Sequence, residues 1–298
     1  MTDLKIGVIG LPGKWSTEVL ADAVEAKTGS RLIINMDQVV LDLTTNMLMF
    51  GEHNLCDLDG LIVKKISAKY SPNTLDRLEL LRIAENAGVR VFSSALNILR
   101  LVDRLSCTVT LQNNDIPMPP TRVTEDIDLA LATIEEYGSA VFKPLYSTKA
   151  RGMLVIDSTS SKSDKLKAVE AFKDENPMMY IQKKLSLPGQ DLGMVFLGGK
   201  YLGTYARVSQ SAAWNTTINS GGKYASYDAS DELIDLAYRA QKPFGMDFTT
   251  VDVAESDMGP IVFEVSAFGG FRGVKEGVGL DAASLYVDYV TQQLSAAN

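Results

Sequence analysis

The chain has 298 residues, of which 46% are hydrophobic and 22% charged, a composition typical of a globular protein of about two domains. One histidine, His53, and two separated cysteines, Cys56 and Cys107, exclude a histidine-rich zinc site and a disulfide framework and favour a cytoplasmic location. The net charge of −8 argues against nucleic acid or an anionic membrane as the main partner, and no apolar run is long enough to cross a bilayer.

Up to about residue 95, short apolar strands alternate with amphipathic helices. Ser16 is the predicted N-cap of the first helix and Gly29 its end, while His53 falls in a polar loop. This alternation indicates parallel βαβ units and therefore an α/β domain with a parallel sheet. The predicted strands span residues 4–10, 31–36, 59–66 and 89–94, and the predicted helices span residues 16–29 and 72–88.

Beyond residue 96 the pattern changes to hairpins with interleaved helices. Residues 97–114 predict one continuous helix, and the proline-rich segment 115–121 that follows predicts a domain boundary. Paired strands are predicted over residues 140–157, 193–208 and 247–268. The α/β domain is therefore expected to be followed by an α+β portion with antiparallel sheets.

Two acidic residues face each other in the last predicted hairpin. Asp252 and Glu264 are equidistant in sequence from Met258, so an ungapped pairing places their Cβ atoms about 5 Å apart. Opposed carboxylates repel unless a cation or proton lies between them, and Mg²⁺ prefers oxygen ligands. With Ser266 on the same face, the hairpin predicts a magnesium site; the alternative is a solvated polar face. The opposite, apolar face is predicted to carry Val251, Val253, Phe263 and Val265.

Two basic residues end predicted apolar strands and suit phosphate binding. Lys143 stands directly before Pro144, and the loop that follows is short, polar and basic. Arg207 precedes a segment rich in Asn, Thr and Ser, an arrangement suited to charge on a transferring phosphoryl group. Taken alone, each residue is explained at least as well by an ordinary strand end, so only the combination favours a nucleotide site.

The segment after the first strand excludes one nucleotide motif and leaves another open. Residues 10–16, GLPGKWS, have two residues between the glycines where a P-loop has four, so this phosphate cradle is too short. The glycine spacing also differs from G-x-G-x-x-G, although Asp37 resembles the ribose-binding acid of NAD folds. An NAD-dependent dehydrogenase using residues 7–37 therefore stays an alternative; a ligand-binding turn at the strand's carboxyl end is favoured.

Taken together, these residues resemble the ATP-grasp superfamily and, within it, the RimK-like carboxylate–amine ligases. The resemblance extends from about residue 5 to residue 285 and rests on the order and spacing of five segments. It implies a parallel-sheet pre-ATP-grasp domain over residues 1–96, a central (lid) subdomain over 97–184 and a C-terminal ATP-grasp subdomain over 185–298. The five segments are VDRLSCTVTLQNNDIPMPPT, AVFKP, MMYIQKKLSLPGQD, WNTTINSGG and VDVAESDMGPIVFEVSAFGG.

The resemblance also implies roles for individual residues. Lys143 and Arg104 correspond to cations that contact the polyphosphate. Asp252 and Glu264 correspond to the Mg²⁺-binding acids, and Ser266 stands where the family usually has an asparagine ligand. The other implied site residues are Arg207 at the transferring phosphoryl group; Lys149 in the phosphate loop; Gln182, Lys183, Lys184 and Leu185 in the adenine hinge; Asp191 near the ribose; and Asn215, Thr216 and Thr217 near nucleotide and metal.

The sequence departs from the family pattern at several of these positions. The Ser266 hydroxyl is a weaker Mg²⁺ ligand than an amide carbonyl, so one metal is expected to be loosely held or completed by water. The phosphate loop reads STKARG in place of a glycine-rich stretch, so Lys149 and Arg151 are expected to supply charge there. Asn215 and Thr217 replace the usual arginine and asparagine, and the hinge has two lysines.

The function implied by the resemblance is ATP- and Mg²⁺-dependent carboxylate–amine ligation through an acylphosphate, with Mn²⁺ as an alternative metal. The predicted partners are an amine and a small-molecule, peptide or carrier-bound carboxylate, with neither nucleic acid nor membrane, and a homo-oligomer is left open. The substrate is predicted to lie between residues 10–16, Lys64 or Lys65, and Arg272. An ATP-binding module, a kinase-like phosphotransferase without ligation, and the dehydrogenase remain alternatives.

Overall fold

The computed structural model describes residues 3–148, 150–209 and 221–297. Its N-terminal part is built on a four-stranded parallel sheet in the order β2-β1-β6-β7, which confirms the predicted parallel architecture. The elements of this part are β1 (Ile6–Ile9), α1 (Trp15–Thr28), β2 (Ile33–Ile34), β3 (Val39–Asp42), β4 (Met47–Phe50), β5 (His53–Asn54), β6 (Gly60–Val63), α2 (Pro72–Asn86), β7 (Arg90–Phe92), α3 (Ala95–Val102) and α4 (Arg104–Gln112).

The first helix begins and ends as its local chemistry requires, with one correction to the prediction. Ser16 lies inside α1, and Lys14 holds the N-cap position without a side-chain hydrogen bond. The Glu18 carboxylate instead accepts a 2.6 Å hydrogen bond from the Gly13 amide, which satisfies one free donor at this end. Gly29 ends the helix in the left-handed conformation that glycine adopts at little cost, as predicted.

A small antiparallel sheet lies between β2 and β6, and its last strand falls within the polar loop predicted over residues 50–60. Its strands are ordered β3-β4-β5, and β5 contains His53, which is exposed. The prediction of a polar loop around His53 is therefore wrong. Because these strands are only two to four residues long, they carry no clear period-2 pattern.

The predicted helix over residues 97–114 is two helices that meet at Asp103. The Asp103 side chain accepts a 3.0 Å hydrogen bond from the Leu105 amide and so caps α4. Arg104 is consequently the first residue of α4, at the boundary between two helices rather than in the middle of one. Single-sequence periodicity misses this break because both helices present apolar residues to the same core.

The remaining elements form two antiparallel sheets, which confirms the predicted α+β architecture. One is ordered β10-β9-β11-β8 and the other β14-β13-β12-β15-β16. Domain limits at residues 96/97 and 184/185 stay predictions. The elements are β8 (Thr121–Thr124), α5 (Ile127–Tyr137), β9 (Ser139–Lys143), β10 (Leu154–Asp157), α6 (Lys162–Glu175), β11 (Met179–Lys183), β12 (Gln190–Leu197), β13 (Lys200–Val208), β14 (Lys223–Ser226), α7 (Asp231–Gln241), β15 (Phe248–Ser256), β16 (Gly259–Val265), α8 (Phe271–Gly273) and α9 (Ala282–Ala297).

The four-stranded antiparallel sheet β10-β9-β11-β8, the smaller of these two, has a hydrophobic core of its own. Ile134 of α5, Phe142 of β9 and Val169 of α6 pack together there. The larger sheet shares its core with the N-terminal part instead, through residues such as Leu111 and Val253. The two antiparallel sheets therefore belong to separate hydrophobic cores. Among the described helices, none has the length and hydropathy to cross a membrane, and both cysteines are free.

Tyr205 of β13 fixes the larger sheet against the segment that follows α8. Its buried ring packs where Gly193 of β12, Gly273 of α8 and Gly277 of the adjoining π-helical turn leave space. A Cβ atom added to these glycines would lie 2.3, 2.4 and 2.4 Å from Tyr205 atoms, closer than packed carbon atoms approach. This contact holds β13 in place two residues before Arg207.

We therefore expect Gly193→Ala to lower the free energy of unfolding by about 1–3 kcal/mol, because the added methyl group overpacks the Tyr205 ring. Gly270→Ala is the matched control, since its Cβ would lie 3.3 Å from one atom of the same side chain, the Tyr205 hydroxyl oxygen. Urea denaturation followed by circular dichroism measures both variants. Equal stability of Gly193→Ala and Gly270→Ala would contradict this packing argument.

Candidate active site

The last hairpin pairs Asp252 with Glu264, as the sequence predicts, but through a different register. Near the turn, Ser256 pairs with Gly259, and a bulge next to Asp252 then adds one residue on the β16 side. The extra residue restores the Asp252–Glu264 pair that an ungapped hairpin would give. Phe263 at the bulge lies with its ring 5.3 Å from the Lys143 ammonium, so its predicted place on the apolar face is wrong.

Asp252 is the buried acid of this pair, with a side chain only 15% exposed. Its Oδ2 lies 3.1 Å from Arg207 Nη2, while its buried Oδ1 has no hydrogen-bond partner among the described residues. Burial raises the pKa of Asp252 to about 7, against the lowering effect of Arg207, and the nearby Glu264 carboxylate raises it further. An unpartnered buried oxygen facing a second carboxylate fits a bound cation.

Asp252 and Glu264 fit a metal ion that takes most of its ligands from water and substrate. Among the described residues, no group of three or more His, Cys, Asp or Glu side chains could hold a metal ion. Mg²⁺ commonly uses one or two carboxylates together with water and substrate phosphates. Asp252 and Glu264 supply such a pair, and the backbone of Ser266 lies beside them because its amide donates to the Thr250 carbonyl at 2.8 Å.

Arg207 on β13 contacts two acids, Asp191 on the adjacent strand β12 and Asp252 on the next strand, β15. Its Nε is 3.1 Å from both carboxylate oxygens of Asp191, which is opposite it in the β12–β13 register, and its Nη2 reaches Asp252. Burial alone lowers the pKa of Arg207, but the two acids outweigh it and raise this pKa well above its ordinary value. Asp191 therefore holds Arg207 in a fixed orientation; its predicted contact with a ribose stays a prediction.

Arg104 at the start of α4 and Lys143 at the end of β9 converge on the same hairpin. Arg104 is 8% exposed; its Nη1 lies 2.9 Å from Glu264 Oε2 and its Nε donates to the Pro144 carbonyl at 3.2 Å. Lys143 is buried at the end of β9, and its ammonium donates to the Gln182 side-chain oxygen. Two predicted phosphate-binding cations thus lie beside the predicted metal acids.

The electrostatic surroundings of Lys143 suit an ammonium group that binds an anionic ligand. Burial lowers the pKa of Lys143 to about 7, and the positive charge of Arg104 lowers it further, while Glu264 opposes both. The described partner of its ammonium is a neutral amide oxygen. An arriving phosphate would favour the charged form, because opposite charges interact strongly in a site of low dielectric constant.

The predicted adenine hinge follows directly from β11. Gln182 is buried and links the hinge to Lys143 through its oxygen, and to Thr121 through its nitrogen at 3.0 Å. The backbone amides of Lys183 and Lys184 already donate to protein carbonyls. An adenine held by backbone hydrogen bonds would therefore use their carbonyl groups or the Leu185 amide, and this contact stays a prediction.

Four predicted nucleotide-binding residues lie outside the described residues, namely Lys149, Asn215, Thr216 and Thr217. The predicted substrate region, by contrast, is assembled in the structure. The buried Lys64 ammonium donates to the Gly269 carbonyl and lies 3.7 Å from the Phe271 ring centroid. The Arg272 guanidinium lies 5.2 Å from the Trp15 ring at the start of α1. Sequence reasoning missed these contacts, whose one signal was a pair of lysines directly after a buried strand.

Lys64 makes the stability of the fold depend on pH. Burial lowers the pKa of Lys64 to about 7, so between pH 7 and 10.5 the unfolded chain binds the additional proton. The free energy of unfolding should therefore rise with pH from 7 to 8.5, by up to about 1.4 kcal/mol per pH unit from this group. Lys64→Met should reduce the slope, and Lys69→Met at an exposed position should retain it. Equal slopes in chemical denaturation of the two variants would refute this assignment.

Comparison with known proteins identifies the family of this chain. Residues 102–290 match the RimK-like ATP-grasp domain. The tetrahydromethanopterin:alpha-L-glutamate ligase of Methanosarcina acetivorans is 24% identical over 96% of this chain and 98% of its own length. The ATP-grasp ligase PsnB, solved with Mg and ADP and a variant precursor, has a TM-score of 0.76 at 16% identity, covering 99% of this chain and 100% of PsnB.

A crystal structure of a RimK domain ATP-grasp protein from Sphaerobacter thermophilus shares the fold as well. Its TM-score is 0.74 at 21% identity, with 96% of this chain and 98% of that chain covered. The predicted fold class and the predicted ligase activity are thereby confirmed, and the dehydrogenase alternative is set aside. The chain belongs to the RimK-like ATP-grasp family of ATP-dependent carboxylate–amine ligases.

Proposed function

We propose that this ligase joins the amine of an α-amino acid of the glutamate type to a carboxylate-bearing acceptor, with ATP as phosphoryl donor. The amino-acid class is taken from the full-length relative named as an alpha-L-glutamate ligase. The single observation that carries the mechanism is the buried Asp252 oxygen without a partner, on a carboxylate that pairs in register with Glu264 and contacts Arg207 through its other oxygen.

Asp252 and Glu264 are the residues we propose to hold Mg²⁺, with the Ser266 hydroxyl at the border of the site. Their oxygens are hard ligands, and Mn²⁺ would be accepted by the same donor set. When bound, the metal would neutralise charge on the nucleotide phosphates. Arg104 forms an ion pair with Glu264 Oε2, which leaves the other carboxylate oxygen of Glu264 available to the metal.

The cations of the site have separate proposed tasks. Lys143 and Arg104 orient the polyphosphate from the side of the site where β9 ends and α4 begins. Arg207, fixed by Asp191, offsets the charge that develops on the transferring phosphoryl group, because its orientation requires no rearrangement during the reaction. The hinge residues 182–185 receive adenine, and Lys149, Asn215, Thr216 and Thr217 remain proposed nucleotide contacts on the sequence evidence alone.

The proposed reaction has two displacements. An oxygen of the substrate carboxylate attacks the γ-phosphorus, the bond to the bridging oxygen of ADP breaks, and an acylphosphate forms. The neutral amine then attacks the acyl carbon, inorganic phosphate leaves with the bonding electrons, and the amine proton is released to phosphate or water. Such chemistry depends on positioning and charge stabilisation. We place the acceptor near residues 10–16 and Arg272, which contact each other through Trp15.

We expect the acylphosphate to be trapped by hydroxylamine. Incubation with MgATP and a panel of pterin-, peptide- and carrier-linked carboxylates should release ADP, and hydroxylamine in place of L-glutamate should yield a hydroxamate. Coupled ADP assays and mass spectrometry measure both products. A stable phosphorylated product without hydroxamate would indicate a phosphotransferase instead. ATP binding without ADP release across the panel would indicate a binding module.

Asp252→Asn tests the metal site without disturbing the fold. Because burial disfavours the charged form of Asp252, the amide variant should retain the wild-type stability, while its affinity for Mg-ADP should fall by at least about tenfold. Glu255→Gln, on the same strand but exposed and bonded to Tyr227, is the matched control. Isothermal titration calorimetry measures both variants. Unchanged Mg-ADP affinity in Asp252→Asn would show that the metal assignment is wrong.

A further inference from the structure

A cleft lies at the opposite end of the larger sheet from the proposed nucleotide site. It has a volume of about 430 Å³ and is bordered by the β12–β13 turn, the residues before β15 and the end of α7. Asp191 and Leu197 stand at the two ends of β12, which puts the two sites about 20 Å apart. No step of the proposed reaction uses this cleft.

The cleft is positively charged although the whole chain carries a net charge of −8. Arg90, Lys200 and Lys242 line it, each from a different element. Asp247 is the acid that lines it, and its Oδ1 is already engaged by the Tyr289 hydroxyl at 2.8 Å and by Arg90 at 3.5 Å. The remaining charge of this lining is two positive units, which a dianion would neutralise.

Gln241 places a polar side chain among these cations. The residue is 3% exposed and lines the cleft. Its nitrogen can donate to an anion between the three cations, and its oxygen can accept from a hydroxyl group.

The backbone makes the cleft a fixed feature of the fold. The Gly198 amide donates to the Asp247 carbonyl at 2.7 Å, which ties the β12–β13 turn to the strand entry of β15. A side chain at Gly198 would come within 2.6 Å of the Tyr289 ring, so this turn is packed directly against α9. The Asp247 amide in turn donates to the Ser93 hydroxyl at 2.7 Å, after β7. These contacts therefore fix the relative positions of the chain segments that border the cleft.

We propose that this cleft binds a small dianion, either a dicarboxylate or a phosphate-bearing metabolite, at a site separate from the nucleotide site. The guanidinium of Arg90 and the ammonium groups of Lys200 and Lys242 provide the charge, and the Gln241 amide provides the directional contact. The proposal does not depend on the proposed ligase mechanism, because none of these residues belongs to it.

The test uses inorganic phosphate and succinate as probes, measured by calorimetry and by ¹⁵N–¹H chemical shifts at low ionic strength, where surface charges are least screened. The cleft variant Lys200→Gln/Lys242→Gln should weaken binding of the preferred probe by at least about tenfold. The charge-matched control Lys162→Gln/Lys167→Gln on α6 should leave it within about twofold. Gln241→Leu should weaken binding without changing net charge.

The result also separates this site from the nucleotide site. Lys143→Ala should weaken binding of ADP but leave the shifts induced by the preferred probe at residues around Gly199 and Lys242 intact. Preference for phosphate or for succinate decides between the two ligand sources. The proposal is overturned if neither probe binds below about 10 mM. It is equally overturned if the cleft and control variants lose affinity alike, or if Lys143→Ala abolishes those shifts.

Discussion

A carboxylate buried opposite another carboxylate is the constraint around which this site is organised. Asp252 can remain ionised in its strand only with compensating positive charge nearby. Arg207 supplies one part of that charge and leaves one Asp252 oxygen open to a further cation. Arg207 is in turn neutralised by Asp191 on the next strand. Arg207, Asp191 and Asp252 lie on β13, β12 and β15, three successive strands, and their contacts make the larger sheet the rigid side of the site.

The second side of the site comes from distant parts of the chain. Arg104 begins a helix because Asp103 caps it, and from there the guanidinium reaches Glu264, 160 residues further along. Lys143 arrives from the smaller sheet, which has its own hydrophobic core. Cations from α4 and β9 opposite the acids of the larger sheet are the arrangement that a metal–polyphosphate complex requires to bridge them.

Contacts far from the acids maintain this arrangement. Lys64 connects the parallel sheet to the Gly269 carbonyl, just after the metal-site strand, and does so as a buried cation without a described carboxylate partner. Tyr205 fills the space left by glycines on three elements, two residues before Arg207. Both contacts explain why small residues and a buried lysine occur at these positions: a Cβ or a neutral side chain would alter the packing that aligns the sheets.

The sequence alone determined the parallel and antiparallel sheets, the opposed acids and the basic strand ends, because period, turns and charge are local properties of the chain. It did not determine the bulge that places Phe263 under Lys143, the break at Asp103, or the pairing of Asp191 with Arg207. Those depend on which strands become neighbours and on how buried charges find partners. Only the tertiary structure fixes these, because pairing energy depends on distance and burial, which no single segment encodes.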